Sequence, residues 1–197
     1  VGFMGSTAIV GGTIPIGVGF ALGMQLKETD QVSCIFHGDA VLETGVFFES
    51  VNFAVLKKLP VLFICENNLY SVYTPLSERQ PANRTIVDMT KGLGMESASY
   101  DGNDGLLVYE KVSEALDKIR SGSGPIFLEF STYRWLEHCG PFYDNDLGYR
   151  TEAEFEEWKT TEPVARLETS IVEQGICTGQ QLQSQNQLIQ AEINEAF

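Results

Sequence analysis

Two patterns of apolar and polar residues alternate along the chain. Residues 31–38 and 59–67 are short, nearly continuous apolar runs, which are typical of strands covered on both faces of a parallel sheet. Residues 95–102 and 125–133 favour two further strands, and residues 11–25, 45–58 and 106–119 favour helices. Strands that alternate with helices predict an α/β fold with a doubly wound parallel sheet.

In a sheet of this kind, ligands bind outside the carboxyl ends of the strands. The informative loops are therefore those that follow residues 37, 66 and 133. Beyond Tyr149 the chain becomes polar, and Thr151 and Glu154 predict a capping box at the start of an acidic helix. We predict a binding domain over residues 1–149 and a helical C-terminal tail, packed on the same domain, over residues 150–197.

Composition narrows the classes of partner and compartment. Thirteen basic and 27 acidic residues give a net charge of −14, which repels nucleic acid and anionic membranes. No apolar run approaches the roughly 18 to 20 residues of a membrane span. Four cysteines show no metal or pairing motif, and Cys34 and Cys65 lie in apolar runs as candidate core residues. We expect a reduced, cytoplasmic protein with no nucleic-acid or membrane partner.

Polar residues follow the first two predicted strands directly. Asp39 comes after one strand, and Asn67 and Asn68 come after the next. Their carboxylate and amide oxygens are hard donors of the kind that Mg²⁺ or Ca²⁺ binds, together with phosphate oxygens. The alternative is structural: Asp39 caps the following helix and the asparagines form a turn. These residues alone leave both interpretations open.

The spacing of these residues, with two other stretches, resembles a known family. Asn68 follows Asp39 by 29 positions, within "GDAVLETGVFFESVNFAVLKKLPVLFICENNLYS". This stretch, "IVGGTIPIGVGFAL" (9–22) and "GPIFLEFSTYRW" (124–135) resemble the alpha subunit of the thiamine diphosphate-dependent 2-oxo acid and acetoin dehydrogenases, in the same order. The resemblance runs from about Ser6 to Trp158. It implies the thiamine diphosphate-binding fold, in a subunit that lacks its N-terminal part.

The resemblance also implies a site. Asp39, the side chain of Asn68 and the backbone carbonyl of Tyr70 would bind Mg²⁺, and His138 would be catalytic, next to the diphosphate. The residues implied to contact the cofactor are Ala8, Ile9, Val10, Gly38, Asp39, Ala40, Val41, Asn68, Tyr70 and His138.

Two features depart from the family pattern. Ala40 stands where the family has glycine, and alanine is tolerated there if its φ is negative. The loop after the last strand reads "YRWLEHCGP" where the family reads much like YRxxGHS. His138 keeps its place, but Leu136 and Glu137 differ, so the resemblance leaves the preferred substrate open.

The implied activity is that of a thiamine diphosphate-dependent oxidoreductase that decarboxylates a small 2-oxo acid and passes the acyl group to a lipoyl-bearing acyltransferase component. A beta subunit would supply the activating glutamate, in a heterotetramer of two alpha and two beta chains. One alternative is an acetoin dehydrogenase or another ketol or carboligase-type enzyme, and a second is a non-catalytic, structural subunit.

A third alternative is a nicotinamide-binding domain. "GVGFALG" (17–23) resembles a dinucleotide fingerprint, and Asp39 follows Gly17 by 22 positions, near the distance of a ribose-binding acid. The spacing is GxGxxxG, however, and the glycines fall inside a predicted helix behind Pro15. Gly17 and Gly19 in a strand-to-helix turn would favour this alternative.

Overall fold

A computed structural model describes residues 2–197 of the protein. The elements in chain order are α1 (Thr13–Leu26), β1 (Ser33–Gly38), a short 3-10 helix (Asp39–Glu43), α2 (Gly45–Lys57), β2 (Val61–Asn67), β3 (Tyr70–Ser71), β4 (Thr74–Pro75), α3 (Leu76–Arg79), α4 (Ile86–Gly92), β5 (Glu96–Asp101), α5 (Gly105–Arg120), β6 (Ile126–Ser131), a 3-10 turn (Asn145–Leu147), α6 (Glu152–Lys159), α7 (Pro163–Glu173) and α8 (Gly179–Ala196).

Four parallel strands form the central sheet, in the order β1-β2-β6-β5. All four predicted strands are present, each shortened by one to two residues at one or both ends. β6 enters between β2 and β5, so the chain crosses over the sheet rather than adding strands to one edge. The predicted doubly wound parallel sheet is confirmed.

Helices cover both faces of the sheet. On one face, buried residues of α1, α2 and α4 pack against Phe63 and Cys65 of β2 and Phe127 of β6. On the other face, α5 buries Ala115 and Ile119 against alternate residues of β2 and β6. Side chains in a strand point to opposite faces in turn, so the unbroken apolar run of β2 serves both cores.

Helix α1 lies unusually close to β1. A Cβ atom added at Gly17 would lie 2.5 Å from the Cδ1 and Cγ1 atoms of Ile35. The Ser33 hydroxyl donates a hydrogen bond of 2.8 Å to the Gly17 carbonyl oxygen. Gly17 and Gly19 therefore lie inside a helix and not in a strand-to-helix turn, which removes the nicotinamide-binding alternative.

Helix α1 is buried on one side only. Ile14, Gly17, Val18 and Ala21 are buried, but Ile16 is 58% exposed. The helix is apolar all round, and a pattern of this kind does not distinguish a core helix from one that has an uncovered apolar side.

The prediction that both early strands are covered on both faces is wrong for β1. This strand lies at one edge of the sheet, and its burial alternates from residue to residue. Cys34 is exposed rather than part of the core, and Phe36 beside it is 61% exposed. Cys65 on the central strand β2 is fully buried, as predicted. The two thiols differ because they point to opposite faces of the sheet: Cys65 faces the side covered by α1 and α2, whereas Cys34 faces the α5 side, where β1 is exposed.

The segment between β2 and β5 contains elements that the apolar pattern did not predict: the small antiparallel hairpin β3-β4 and the short helices α3 and α4. Each strand of the hairpin has two residues, which is too short to show an alternation of apolar and polar residues. These elements place Tyr70 and Arg79 next to the sheet edge.

The C-terminal segment is helical, as predicted. Phe155 of α6 is buried with Tyr70 and Tyr133, and Arg166 of α7 pairs with Asp101 at the end of β5. The boundary at residue 150 stays a prediction. The predicted capping box is half formed: Thr151 accepts a hydrogen bond from the Glu154 amide, but the Glu154 carboxylate instead accepts one from the Tyr70 hydroxyl.

None of the helices in residues 2–197 is both long enough and apolar enough to cross a membrane.

The contact between α1 and β1 gives a test of the packing. We expect Gly17→Ala to destabilise the protein by about 1 to 2 kcal/mol, because the cost of overpacking exceeds the gain in helix propensity. Gly19→Ala is the matched control, since an added Cβ there meets nothing within 4 Å. It should be neutral or stabilising by up to about 1 kcal/mol. Denaturant unfolding of the complete protein measures both, and equal effects would contradict the close packing.

Candidate functional site

The carboxyl ends of β1, β2 and β6 meet at one edge of the sheet. Gly38 lies beside Glu66, and Asn67 lies beside Ser131. The loops after these strands therefore start within one or two strand spacings of each other, roughly 5 to 10 Å. This strand register therefore brings together candidate residues from the loops after β1, β2 and β6, which are distant in the sequence.

Asp39 begins the 3-10 helix that follows β1, and its side chain is buried. Its charge is balanced by Arg79 of α3, which forms ion pairs with Asp39 and with the more exposed Glu43. The Arg79 Nε also donates to the Thr74 carbonyl oxygen at 3.2 Å. A buried carboxylate requires a partner of this kind, since desolvating an unpaired charge is costly. Within the described residues, the Asp39 side chain makes no capping hydrogen bond. The alternative interpretation, in which Asp39 caps the following helix, is therefore not supported.

The turn after β2 is held by two asparagine side chains. The Oδ1 atom of Asn67 accepts a hydrogen bond from the Leu69 amide at 3.0 Å, and that of Asn68 accepts one from the Tyr70 amide at 3.0 Å. Leu69 has a φ of 70°, a left-handed conformation that is uncommon for a residue other than glycine. The predicted asparagine turn is thus present, and it lies beside the 3-10 helix through the contact of β3 with residues 39–43.

The backbone conformation at position 40 accepts alanine in place of the family's glycine. Ala40 lies within the 3-10 helix and is not among the residues with positive φ in the described chain. Alanine therefore adopts this backbone conformation without strain. In front of it, a Cβ added at Gly38 would meet nothing within 4 Å, which leaves open space at the end of β1.

The segment that precedes α1 reaches the same edge. Ala8, Ile9 and Val10 form an exposed turn closed by a hydrogen bond of 3.0 Å from the Gly12 amide to the Ile9 carbonyl oxygen. Gly11, with a φ of 81°, approaches Thr44 and Val46 so closely that an added Cβ would lie 3.1 Å from each. Those residues start α2 directly after the 3-10 helix, which places residues 8–10 near Asp39.

The loop after β6 is anchored by a buried ion pair. Arg150 is fully buried, forms an ion pair with Asp144 and donates hydrogen bonds to the carbonyl oxygens of Arg134 and Trp135. The Tyr149 hydroxyl donates to Asp144 at 2.7 Å. Burial alone would raise the pKa of Asp144, but the hydrogen bond from Tyr149 and the Arg150 charge outweigh it and hold this pKa below its ordinary value.

His138 lies on this anchored loop, between Arg134 and Asp144. Its side chain is exposed and forms no hydrogen bond with any described residue. The structure thus brings Asp39, Ala40, Val41, Asn68 and Tyr70 together, with residues 8–10 near them, but records no contact between His138 and that group.

His37 is the second-to-last residue of β1, and its side chain is buried. Its ring packs against Phe47 and Phe127, with centroid distances of 5.9 and 6.0 Å. Burial lowers the pKa of its imidazole, so the neutral ring is favoured.

The donor chemistry at the edge fits a divalent cation bound with a diphosphate. One buried carboxylate, one amide oxygen and one backbone carbonyl are hard oxygen donors that leave positions for phosphate oxygens. No group of three or more His, Cys, Asp and Glu side chains in residues 2–197 is arranged to hold a metal ion. A site with a single carboxylate agrees with this result, and Arg79 shows that the edge already accommodates positive charge beside Asp39.

Three residues of this region were not predicted from the sequence: Arg79, Glu129 and Arg150. Arg79 pairs with Asp39, which is distant in the sequence, and Arg150 pairs with Asp144 in the same irregular loop. Neither pair produces a periodic sequence pattern that would predict it. Glu129 is a buried acid in the apolar run of β6, and this exception to the pattern was the available signal.

Comparison with known proteins gives the family. The model of the family described as "Dehydrogenase E1 component" matches residues 1–197. The chain belongs to this family. It is 36% identical over 183 residues to the 2-oxoisovalerate dehydrogenase subunit alpha of Bacillus subtilis, covering 93% of this chain and 54% of that protein. It is 32% identical over 193 residues to the pyruvate dehydrogenase E1 component subunit alpha of Acholeplasma laidlawii, covering 96% and 54%.

Mitochondrial E1 proteins are similar as well. The pyruvate dehydrogenase E1 component subunit alpha of Sminthopsis macroura is 34% identical over 195 residues, covering 98% of this chain and 52% of that protein. The chain spans about half the length of the curated relatives it matches. A solved chain described as a thiamin diphosphate-dependent enzyme from Mycobacterium smegmatis covers 64% of this E1 chain and 22% of its own, at 21% identity and a TM-score of 0.48, too low to support an argument.

The loop after β6 should lose its Asp144–Arg150 anchor when acid protonates the Asp144 carboxylate. Because the folded-state pKa of Asp144 lies below the unfolded value of about 3.9, its stabilisation is present above that pH and lost as the pH falls through the folded-state pKa. Tryptophan fluorescence reports the opening, since Trp135 and Trp158 both lie in the adjoining aromatic cluster.

We expect the wild-type signal to change only below about pH 4. Asp144→Asn should already show the open signal at pH 7, and Asp146→Asn, at an exposed acid of the same loop, should behave like the wild type. A transition near pH 6, or a wild-type profile for Asp144→Asn, would contradict the anchoring role.

Proposed function

We propose that this chain is the diphosphate-binding part of the alpha subunit of a thiamine diphosphate-dependent 2-oxo acid dehydrogenase. The complete enzyme would decarboxylate a small 2-oxo acid and pass the acyl group to a lipoyl-bearing acyltransferase component. The observation that carries the proposal is the meeting of Asp39 and the turn 67–70 at the carboxyl edge of the sheet. It occurs in a chain that matches the E1 family throughout.

The residues at this edge have separate roles in the proposal. Asp39, the side chain of Asn68 and the Tyr70 carbonyl would hold Mg²⁺, and the backbone at Gly38, Ala40 and Val41 would face the diphosphate. When bound, thiamine diphosphate supplies the carbon nucleophile and the electron sink for decarboxylation. The chain's own contribution is to neutralise, orient and fix the diphosphate. The open space before Gly38 supports this assignment.

Arg79 balances the charge of Asp39. Its guanidinium pairs with Asp39, and a divalent cation at the same carboxylate would repel it. The ion pair with Arg79 compensates the desolvation of the buried Asp39 carboxylate.

The remaining cofactor contacts come from the two flanking segments. Ala8, Ile9 and Val10 would line the aminopyrimidine ring, and their exposure leaves them free to do so. His138 would approach the diphosphate as the catalytic residue of the loop after β6. The anchoring of this loop by Arg150 and Asp144 limits how far His138 moves.

A beta subunit would complete the site. In line with the family resemblance, we propose that the activating glutamate comes from the beta subunit in a heterotetramer of two alpha and two beta chains. Exposed apolar side chains near the site, among them Ile9, Val10 and Ile16, support a surface that is covered in the assembled enzyme.

We propose a 2-oxo acid as the substrate and the cytoplasm as the location. Relatives named for pyruvate and for 2-oxoisovalerate match this chain about equally, so a 2-oxo acid is favoured over acetoin or another ketol. A non-catalytic role gains no support from Ala40, which fits its position. The cytoplasmic location stays a prediction, because both bacterial and mitochondrial relatives match.

Removing Asp39 tests the proposed metal site. In the complete protein assembled with its partner, Asp39→Ala should weaken Mg²⁺-dependent binding of thiamine diphosphate at least about tenfold, or about 1.4 kcal/mol. The reason is loss of the one carboxylate that faces the cation. Glu43→Ala is the matched control: it also removes an acidic partner of Arg79 but no proposed ligand, and its affinity should stay within about threefold.

Isothermal titration calorimetry with thiamine diphosphate at saturating Mg²⁺ measures both affinities. Wild-type affinity in Asp39→Ala, or equal losses in the two variants, would contradict the assignment.

A further inference from the structure

Glu129 is a carboxylate in an apolar part of the sheet. It lies on the central strand β6, beside Cys65 of β2, and is 8% exposed. None of the ion pairs found in residues 2–197 involves it. Acidic side chains are rarely buried without a partner, because desolvation of the charge is unfavourable.

Glu129 accepts one side-chain hydrogen bond from the described residues. The Nδ2 atom of Asn67, which is also buried, donates to its Oε1 atom at 2.7 Å. The two residues are 62 positions apart in the sequence and meet only because β2 and β6 are neighbours.

This bond fixes which way the Asn67 amide points. A carboxylate only accepts hydrogen bonds, so it selects the Nδ2 side of the amide and turns the Oδ1 side away. That oxygen accepts from the Leu69 amide at 3.0 Å. The backbone carbonyl of Asn67 accepts from the Thr132 amide at 2.9 Å, so both the backbone and the side chain of Asn67 are held.

The turn that depends on Asn67 is not one that the chain adopts unaided. Leu69 has a φ of 70° and Val72 a φ of 55°, and left-handed conformations of such bulky residues persist only where surrounding contacts impose them. The hydrogen bond from the Leu69 amide to Asn67 is one such contact. Asn68 and Tyr70, on either side of Leu69, carry the oxygens assigned to Mg²⁺.

We propose that Glu129 is a positioning residue, which through Asn67 holds the turn 67–70 in the shape that binds Mg²⁺ and the diphosphate. This inference rests on the proposed function, since it concerns the same site. Glu129 itself lies below the edge, inside the sheet, and acts only through the Asn67 amide. In this proposal the role of Glu129 depends on the position of its acceptor oxygen.

Two conservative variants separate position from charge. Glu129→Gln keeps an acceptor oxygen at the same reach and removes the charge, whereas Glu129→Asp keeps the charge and withdraws it by one methylene group. In the complete assembled protein, Glu129→Gln should bind thiamine diphosphate at saturating Mg²⁺ within about threefold of the wild type. Glu129→Asp should bind about tenfold or more weakly. The reverse order, or equal affinities, would overturn the inference.

A second readout needs no cofactor. Amide hydrogen exchange at Leu69 in the cofactor-free protein should be faster in Glu129→Asp than in the wild type, while amides of Val61–Ile64 in the same strand remain protected. Uniformly faster exchange, in the turn and the strand alike, would show a merely structural role and overturn the inference.

Two further comparisons complete the design. Cys65→Ala, at the neighbouring position on the same sheet face, removes buried volume without touching Asn67, and it should leave cofactor affinity unchanged. Asn67→Ala combined with Glu129→Asp should bind no more weakly than Asn67→Ala alone, because the second change acts through the first. Additive losses would contradict action through Asn67.

The outcomes also separate this inference from the proposed function. If the wild type does not bind thiamine diphosphate with Mg²⁺, the proposed function fails and the inference with it. If the wild type binds and Glu129→Asp binds equally well, only the role of Glu129 is overturned.

Discussion

The parallel register of β1, β2 and β6 determines where every residue of the candidate site lies. It sets Gly38 beside Glu66 and Asn67 beside Ser131, so three loops leave the sheet at one edge. The apolar residues beneath, Phe63 and Phe127 among them, hold that register because a slip by one residue would turn each of them to the other face. The polar chemistry of the edge thus depends on a hydrophobic constraint within the sheet.

Charge balance is the second constraint at this edge. In a chain with a net charge of −14, each buried acid needs a specific partner. Asp39 has Arg79, Asp144 has Arg150, and Glu129 has the neutral amide of Asn67. Two of these partners hold irregular segments in place, and the third orients a turn. The same contacts that satisfy the acids therefore shape the loops that would meet a cofactor.

Much of this arrangement was predictable from the sequence. The alternation of strands and helices predicted the parallel sheet. The positions of Asp39 and Asn68 directly after two strands predicted that the candidate site lies at the carboxyl edge of that sheet. Strand order was not predictable, so neither the edge position of β1 nor the exposure of its Cys34 face could be predicted. Pairs such as Arg79 with Asp39 depend on the path of a segment without periodicity, so only the folded chain reveals them.

Hydrogen–deuterium exchange of the complete, assembled protein tests most directly whether this edge of the sheet binds the diphosphate. Exchange is compared with and without thiamine diphosphate and Mg²⁺. Added protection should concentrate in residues 38–43 and 67–71, because the backbone amides of the 3-10 helix and of the turn after β2 become ordered or covered there. Binding that protects other segments and leaves these two unchanged would contradict the site described for Asp39, Asn68 and Tyr70.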